Sequence, residues 1–130
     1  MSYILNIESS TTNCSISLSF DGKVISIKED NDEKYAHSTN LHSFIKYVLN
    51  ESNVSINELS AIAVSNGPGS YTGLRIGVAA AKGLCYALDI PLISISSLLV
   101  LAKQIKFKKT GLIVPVMDAR RNEVYSVVYD

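Results

Sequence analysis

The sequence predicts an α/β fold, and three observations carry that prediction. First, the apolar run Ala61-Ile62-Ala63-Val64 enters a glycine-rich stretch, Ser65-Asn66-Gly67-Pro68-Gly69-Ser70-Tyr71-Thr72-Gly73, and an unbroken helical pattern from Leu74 to Leu88 leaves it. Strand, glycine turn and helix in that order is a building unit of α/β proteins. Second, the opening alternates apolar and polar residues with the period of a half-buried strand. Third, the plan of the opening returns near residue 114, with an apolar strand ending on an acid, a polar turn, and a second strand ending in an aromatic residue and Asp.

Each element follows from local pattern. Ile4, Leu5 and Ile7 predict a short strand, and Glu8 to Asn13 a polar turn. Cys14, Ile16, Leu18 and Phe20 alternate with Ser15, Ser17 and Ser19, predicting a strand with one apolar face. Asp21-Gly22 is a hairpin signal, and Val24, Ile25 and Ile27 make the return strand. Glu29 to Lys34 reads as a charged loop, and Ser38 as the N-cap of a first helix. Leu41, Phe44, Ile45, Val48 and Leu49 then mark one helix face. Ser55 to Leu59 predicts a short helical turn before the strand at 61–64. Beyond the second helix, Ile90 to Ile95 reads as a strand and Ser97 to Gln104 as a short helix. Val114 to Asp118 and Val124 to Asp130 are the strands of the returning plan. If that return is a true repeat, the chain holds one complete α/β unit, residues 1–108, and the first strands of a second, residues 109–130.

Composition bounds the function classes. The chain has 130 residues and a formal net charge of zero, the size of one ordinary domain. The only basic cluster, Lys106, Lys108 and Lys109, is smaller than the face a nucleic-acid binder acting alone needs. The longest apolar tract, Ile90 to Ala102, is too short for a membrane span and carries serines. No basic segment precedes Ile4 as in a signal peptide, and Cys14 and Cys85 predict reduced thiols. These features together predict a soluble cytoplasmic protein.

The glycine stretch tests against two familiar loops and matches neither. A Walker loop needs Lys and Ser or Thr directly after its last glycine, and Gly73 is followed by Leu74 and Arg75. The dinucleotide fingerprint needs a tighter spacing than Gly67, Gly69 and Gly73 provide, and Asp89 precedes its strand instead of ending it. A strand–glycine–helix unit favours anions through its free N–H groups, yet any loop needing positive φ looks the same.

The opening Ile4-Leu5-Asn6-Ile7-Glu8-Ser9-Ser10, the loop Gly67 to Gly77, the helix Ala79 to Leu84, and Met117-Asp118-Ala119-Arg120 with Glu123-Val124-Tyr125 together resemble the TsaB (YeaZ-type) family. The resemblance runs over essentially the whole chain. It implies an actin-like (ASKHA), duplicated ribonuclease-H-type lobe, with a mixed sheet, flanking helices and the start of a second lobe. It implies a non-catalytic subunit in the formation of N6-threonylcarbamoyladenosine at position 37 of certain tRNAs. The partners it implies are a TsaD-type catalytic subunit and a TsaE-type ATPase. Self-association in isolation, contact with tRNA only through the complex, and no membrane also follow from it. No cofactor and no metal are expected.

The residues weigh those implications further. In the catalytic TsaD relatives two histidines follow the strand after the glycine loop, and here Ser97 and Leu101 stand in their places. Neither is a metal ligand of consequence, and His37 and His42 lie five apart, on different helix faces. Glu8, Ser9, Ser10 and Thr11 occupy the place of the first phosphate loop of actin-like ATPases; serines and threonines also serve tight turns through their own hydrogen bonds, and that is the favoured reading. An actin-like ATP-binding lobe of a small-molecule kinase or ATPase is the alternative. No Ser–His or Cys–His arrangement supports a peptidase, and Asp118 with Glu123 reads as a charged hairpin end. Gly73, Gly77, Ala81 and Cys85 form a small-residue stripe, compatible with packing on the chain's own sheet or with a helix seam to a partner. The resemblance, which implies pairing through the first and second helices, assigns Tyr47, Arg75, Gly77, Val78 and Ala81 to that seam.

Overall fold

The computed structural model describes residues 2–31, 37–105 and 111–130, with backbone only for 31 and 37–40. The expected boundary between 108 and 109 and the lysine cluster at 106–109 lie outside the described residues, as does the side chain of His37. Strand β1 (Tyr3–Glu8) pairs antiparallel with β2 (Asn13–Phe20), which pairs antiparallel with β3 (Lys23–Asn31). On its other side β1 pairs parallel with β4 (Leu59–Ser65), and β4 with β5 (Leu92–Ile95). The result is a five-stranded mixed sheet in the order β3-β2-β1-β4-β5.

Register explains the core. Leu5 and Ile7 face Leu18 and Ile16 across one ladder and Ile62 and Val64 across the other. All six are buried, so one sheet face is continuous apolar surface. Helix α1 (His37–Glu51) covers β2 and β3 with Leu41, Phe44, Ile45, Val48 and Leu49, the stripe the sequence predicts. Helix α2 (Tyr71–Leu88) lies beside it on β4 and β1. A 3-10 turn (Ile56–Glu58) with a Ser55–Glu58 capping box leads into β4, as expected of 55–59. Helix α3 (Ser97–Lys103) buries Leu98 and Ala102. Strands β6 (Val116–Arg120) and β7 (Glu123–Ser126) form a separate two-stranded sheet, extended by a bridge between Ile113 and Tyr129.

Several boundaries differ from the pattern-based reading. Strand β3 runs to Asn31 through residues expected to be loop, because Glu29, Asp30 and Asn31 find ladder partners in Ser15, Cys14 and Asn13. On an edge strand the charged side chains of Glu29 and Asp30 stay in water, so charge does not oppose the pairing. Helix α1 starts at His37, so Ser38 lies inside its first turn and not at its cap. Helix α2 starts at Tyr71, because the Ser70 hydroxyl accepts the Gly73 N–H at 3.3 Å and serves as N-cap. Strand β5 begins after Pro91, which has no N–H to give but whose carbonyl accepts the Ile62 N–H at 3.2 Å.

Candidate functional site

The glycine stretch and the turn after β1 form one closed assembly. The Gly67–Pro68 peptide is cis, and Gly67 has φ +119°, a conformation open to glycine. Ser70 N–H donates to Ser10 O at 2.6 Å, and Ser97 N–H to Gly67 O at 2.9 Å. Gly69 sits so close to Ser10 that a Cβ there would collide with Ser10 O and stand 2.7 Å from Ser10 Cβ. Two helical turns further on, a Cβ on Gly77 would collide with Ser9 Oγ. The two glycines are therefore what lets α2 descend onto the turn.

Inside that contact the polar groups satisfy one another. Ser9 and Ser10 are buried, and Ser9 Oγ donates to Gly73 O at 2.8 Å. Glu8 Oε1 accepts from the Ser10 N–H at 3.0 Å and from the Ser10 hydroxyl, while Glu8 Oε2 accepts from the buried Ser65 hydroxyl. Thr11, on the exposed part of the turn, accepts the Asn13 N–H at 3.3 Å. The degenerate phosphate-loop residues Glu8, Ser9, Ser10 and Thr11 are thus brought together, and their hydrogen-bonding capacity is directed into the chain. In the glycine loop, the N–H groups of Ser70 and Gly73 that an anion would take are in use by Ser10 and Ser70. Tyr71 and Thr72 are exposed, and Pro68 and Gly69 are half-buried.

Both thiols are buried, and both titrate high. Burial, then the nearby Asp30 and Glu8 charges, raises Cys14 to about 11. Burial raises Cys85 as well, and its thiol donates to Pro91 O at 3.5 Å. Neither is a nucleophile at neutral pH. No group of three or more His, Cys, Asp or Glu among the described residues is placed to hold a metal.

The partner-seam residues separate into two sets. Gly77 and Ala81 belong with Gly73 and Cys85 to the buried face of α2, packed on the chain's own sheet. Assigning them to a partner surface is therefore corrected: the small-residue stripe serves an internal seam, with Ser9 and Ile7 under Gly77. Tyr47 and Arg75 are exposed, and Val78 is half-buried between core and surface. Tyr47 carries the Lys28 ammonium 5.1 Å from its ring centre, and the Arg75 guanidinium stacks on Tyr71 at 5.3 Å.

Two grooves lie along α2, and Arg75 and Val78 line one of them. One, of about 510 Å³, runs between α1 and α2 and is lined by Leu41, His42, Ile76, Ala79, Ala80, Gly83 and Leu84. The second, of about 410 Å³, is bounded by Tyr71, Leu74, Arg75, Val78, Ala79 and Lys82. Gly83 differs from Gly69 and Gly77: a Cβ there would meet nothing within 4 Å among the described residues. The sequence shows that α2 is rich in small residues, but not which of them face inward. A helical wheel anchored on Ala81 and Cys85 as core could have separated Gly77 from Gly83. The role of Ser65 under Glu8 left no signal in the sequence, since it rests on strand register.

The family described as TsaD, tRNA N6-adenosine threonylcarbamoyltransferase, matches residues 30–130. The tRNA threonylcarbamoyladenosine biosynthesis protein TsaB of Bacillus subtilis is 45% identical over 74% of this chain and 42% of its own length. Its Escherichia coli counterpart is 34% identical over 97% of this chain and 54% of its own. The solved YeaZ from Pseudomonas aeruginosa superposes with a TM-score of 0.90 at 31% identity, over 99% of this chain and 60% of that one. The chain belongs to the TsaB (YeaZ-type) branch of the TsaD family. Its five-stranded mixed sheet and flanking helices are accordingly the actin-like, ribonuclease-H-type fold that the resemblance implied. The chain spans about half the length of the curated relatives it matches. Among the described residues no helix is long and apolar enough to cross a membrane.

Proposed function

We propose that this chain is a non-catalytic scaffold and activator in tRNA N6-threonylcarbamoyladenosine formation, acting in the cytoplasm by binding a TsaD-type catalytic subunit. A TsaE-type ATPase completes the assembly, and the hairpin β6–β7 begins a second lobe. The observation that carries this reading is the outer surface of α1 and α2. Two apolar grooves meet there, and Gly83 lies in one of them with no neighbour among the described residues to explain its missing side chain. Glycine in a helix interior costs about 1 kcal/mol relative to alanine. At Gly77 an internal contact accounts for that cost; at Gly83 a close approach from outside would. Arg75 and Val78 line the second groove, where Arg75 supplies an arginine anchor of the kind common at interfaces; exposed Tyr47, on α1 beside Lys28, lies outside both grooves.

The chemistry of the turn supports a subunit without a reacting group. Glu8 is occupied by Ser10 and Ser65, and Ser97 and Leu101 stand where the catalytic relatives carry histidines. The actin-like nucleotide-binding alternative asks for free donors at the same turn, where Ser9 and Ser10 are bonded within the chain.

The test is formation of threonylcarbamoyl-adenosine on tRNA by purified TsaD- and TsaE-type partners, with and without this protein. Product should require it, and undiminished product in its absence would end the scaffold reading. Within that assay, Gly83→Ala should raise the stability of the free chain by about 1 kcal/mol while weakening assembly with the catalytic subunit. Unchanged assembly would remove Gly83 from the interface.

A further inference from the structure

Helices α1 and α2 carry charge of one sign. From residue 37 to residue 50, and from 71 to 88, there is no Asp or Glu, whereas Lys46, Arg75 and Lys82 fall within these helices. The whole chain holds 12 acids against 12 lysines and arginines, so the bias is local. The helix macrodipole favours acids in a first turn, and neither helix has one there. Water-facing helices are commonly laced with carboxylate–cation pairs three or four residues apart. None of the three cations has such a partner on its own helix. Helix stability alone would have placed acids here.

The cations stand around apolar surface. A third groove, of about 380 Å³, adjoins the one between α1 and α2 and shares His42 and Leu84 with it. Ile45, Leu49 and Val54 are in its lining, and so is Lys46. The groove that holds Arg75 and Lys82 adjoins the same central one through Ala79. The three grooves therefore form one apolar track, with Lys46 at one end and Arg75 and Lys82 at the other. We propose that the partner's docking face presents carboxylates to Lys46, Arg75 and Lys82 around an apolar ridge, and that charge selects the catalytic subunit over a second copy of this chain. The inference rests on the proposed scaffold role and adds the chemistry of the surface that docks.

Desolvation dictates that chemistry. A ridge seated in the track takes water from the cations lining it, and a cation that loses water without gaining a carboxylate opposes association. Two identical faces would set the same three cations against one another, so like charge works against a symmetric pair although apolar area favours it. RNA suits the track less well, because phosphate binding needs a broader basic face and the surface between these cations is apolar. Opposite charge on the partner also speeds encounter and makes the assembly sensitive to salt.

The experiment measures binding of this protein to the TsaD-type subunit across a salt series, for the parent, K46E/K82E and K46Q/K82Q. Both lysines are exposed, and Arg75 is left in place because it stacks on Tyr71. Parent affinity should fall as salt rises. The glutamate variant should lose roughly a hundredfold at low salt and recover part of it at high salt, with the glutamine variant between the two and flatter. Mixed with the parent, K46E/K82E should pair with it more tightly than either pairs with itself. A parent affinity indifferent to salt would overturn the inference, and that arm stands even if a variant fails to fold. So would charge reversal that leaves affinity unchanged, or a mixture no tighter than the parent alone. A variant that binds the subunit normally while its complex loses tRNA would give the cations to RNA and overturn it too. Failure of the scaffold reading has a different mark, namely no complex with the parent at any salt, or product formed without this protein at all.

Discussion

The turns after β1 and β6 share one sequence plan, an apolar stretch, an acid and then polar residues. Strand β1 ends on its acid, whereas β6 runs two residues past Asp118 to Arg120, and the two acids do different work. Glu8 lies under α2 and gathers the hydroxyls of Ser10 and Ser65. Asp118 stands in water and holds one backbone N–H of its own hairpin. The first turn has a helix seated on it, so glycines appear at 69, just ahead of the helix, and at 77 within it, and the serines are buried. The second turn has nothing seated on it among the described residues. Its strand β7 is exposed throughout, and positive φ falls on arginines. The same local pattern thus becomes a buried joint or an exposed tip according to what packs above it.

The comparison is most easily broken at the joint. Gly77→Ala puts a methyl group where Ser9 Oγ stands, and the buried helix has little room to retreat, so the chain should lose about 3 kcal/mol. Adding Ser9→Ala should return part of that loss, since the nearest remaining atom, Ser9 Cβ, is 3.2 Å away. Urea unfolding of the two single variants and the double variant measures the coupling. Additive losses would mean that α2 does not rest on Ser9.

Alkaline pH should probe the same layer. Cys14, at the start of β2, is raised from 9.0 to about 11 by burial and by Asp30 and Glu8. The folded state therefore holds this proton where the unfolded state releases it. Stability from this group is complete below pH 9 and is lost as pH rises through about 11, a loss of about 2 kcal/mol. Cys14→Ala should flatten the fall of the urea midpoint across that window relative to the parent. An identical fall in both proteins would assign it to other groups.

Much of this architecture is legible in the sequence. The alternation Cys14, Ile16, Leu18 is the buried face of β2, and Leu41 to Leu49 is the buried face of α1, because both periods report directly on one-sided burial. The glycine stretch is legible as a turn between strand and helix. What the turn does is less so. That Ser65 reaches Glu8 depends on β1 and β4 lying side by side, a long-range fact. That Gly77 faces inward and Gly83 outward depends on the rotation of α2, which a run of small residues leaves weakly marked. Charge misleads at Glu29 to Asn31, where backbone pairing on an edge strand outweighs side-chain polarity.

A smaller effect sharpens the account of Glu8. Ser65→Ala removes the donor to Oε2 and leaves a half-buried carboxylate one hydrogen bond short, which should cost about 1–2 kcal/mol. The equivalent change at the second turn, Asp118→Ala, removes a bond made in water and should cost less. Thermal melting of both variants ranks the two acids. Equal losses would deny that burial distinguishes them.

The smallest effect has the opposite sign. Arg120 sits at φ 65°, and its guanidinium has no hydrogen-bond or ion-pair partner among the described residues. Arg120→Gly should therefore stabilise the chain, by about 1 kcal/mol once the greater freedom of glycine in the unfolded state is set against the relieved strain. A glycine gain at this tip, beside the loss on taking glycine away at 77, would show the two turns under opposite demands. The joint needs glycine because another part of the chain occupies the space, whereas the tip does without it although its backbone conformation favours it. If melting shows Arg120→Gly to be destabilising, some contact of that side chain within the chain stabilises the tip.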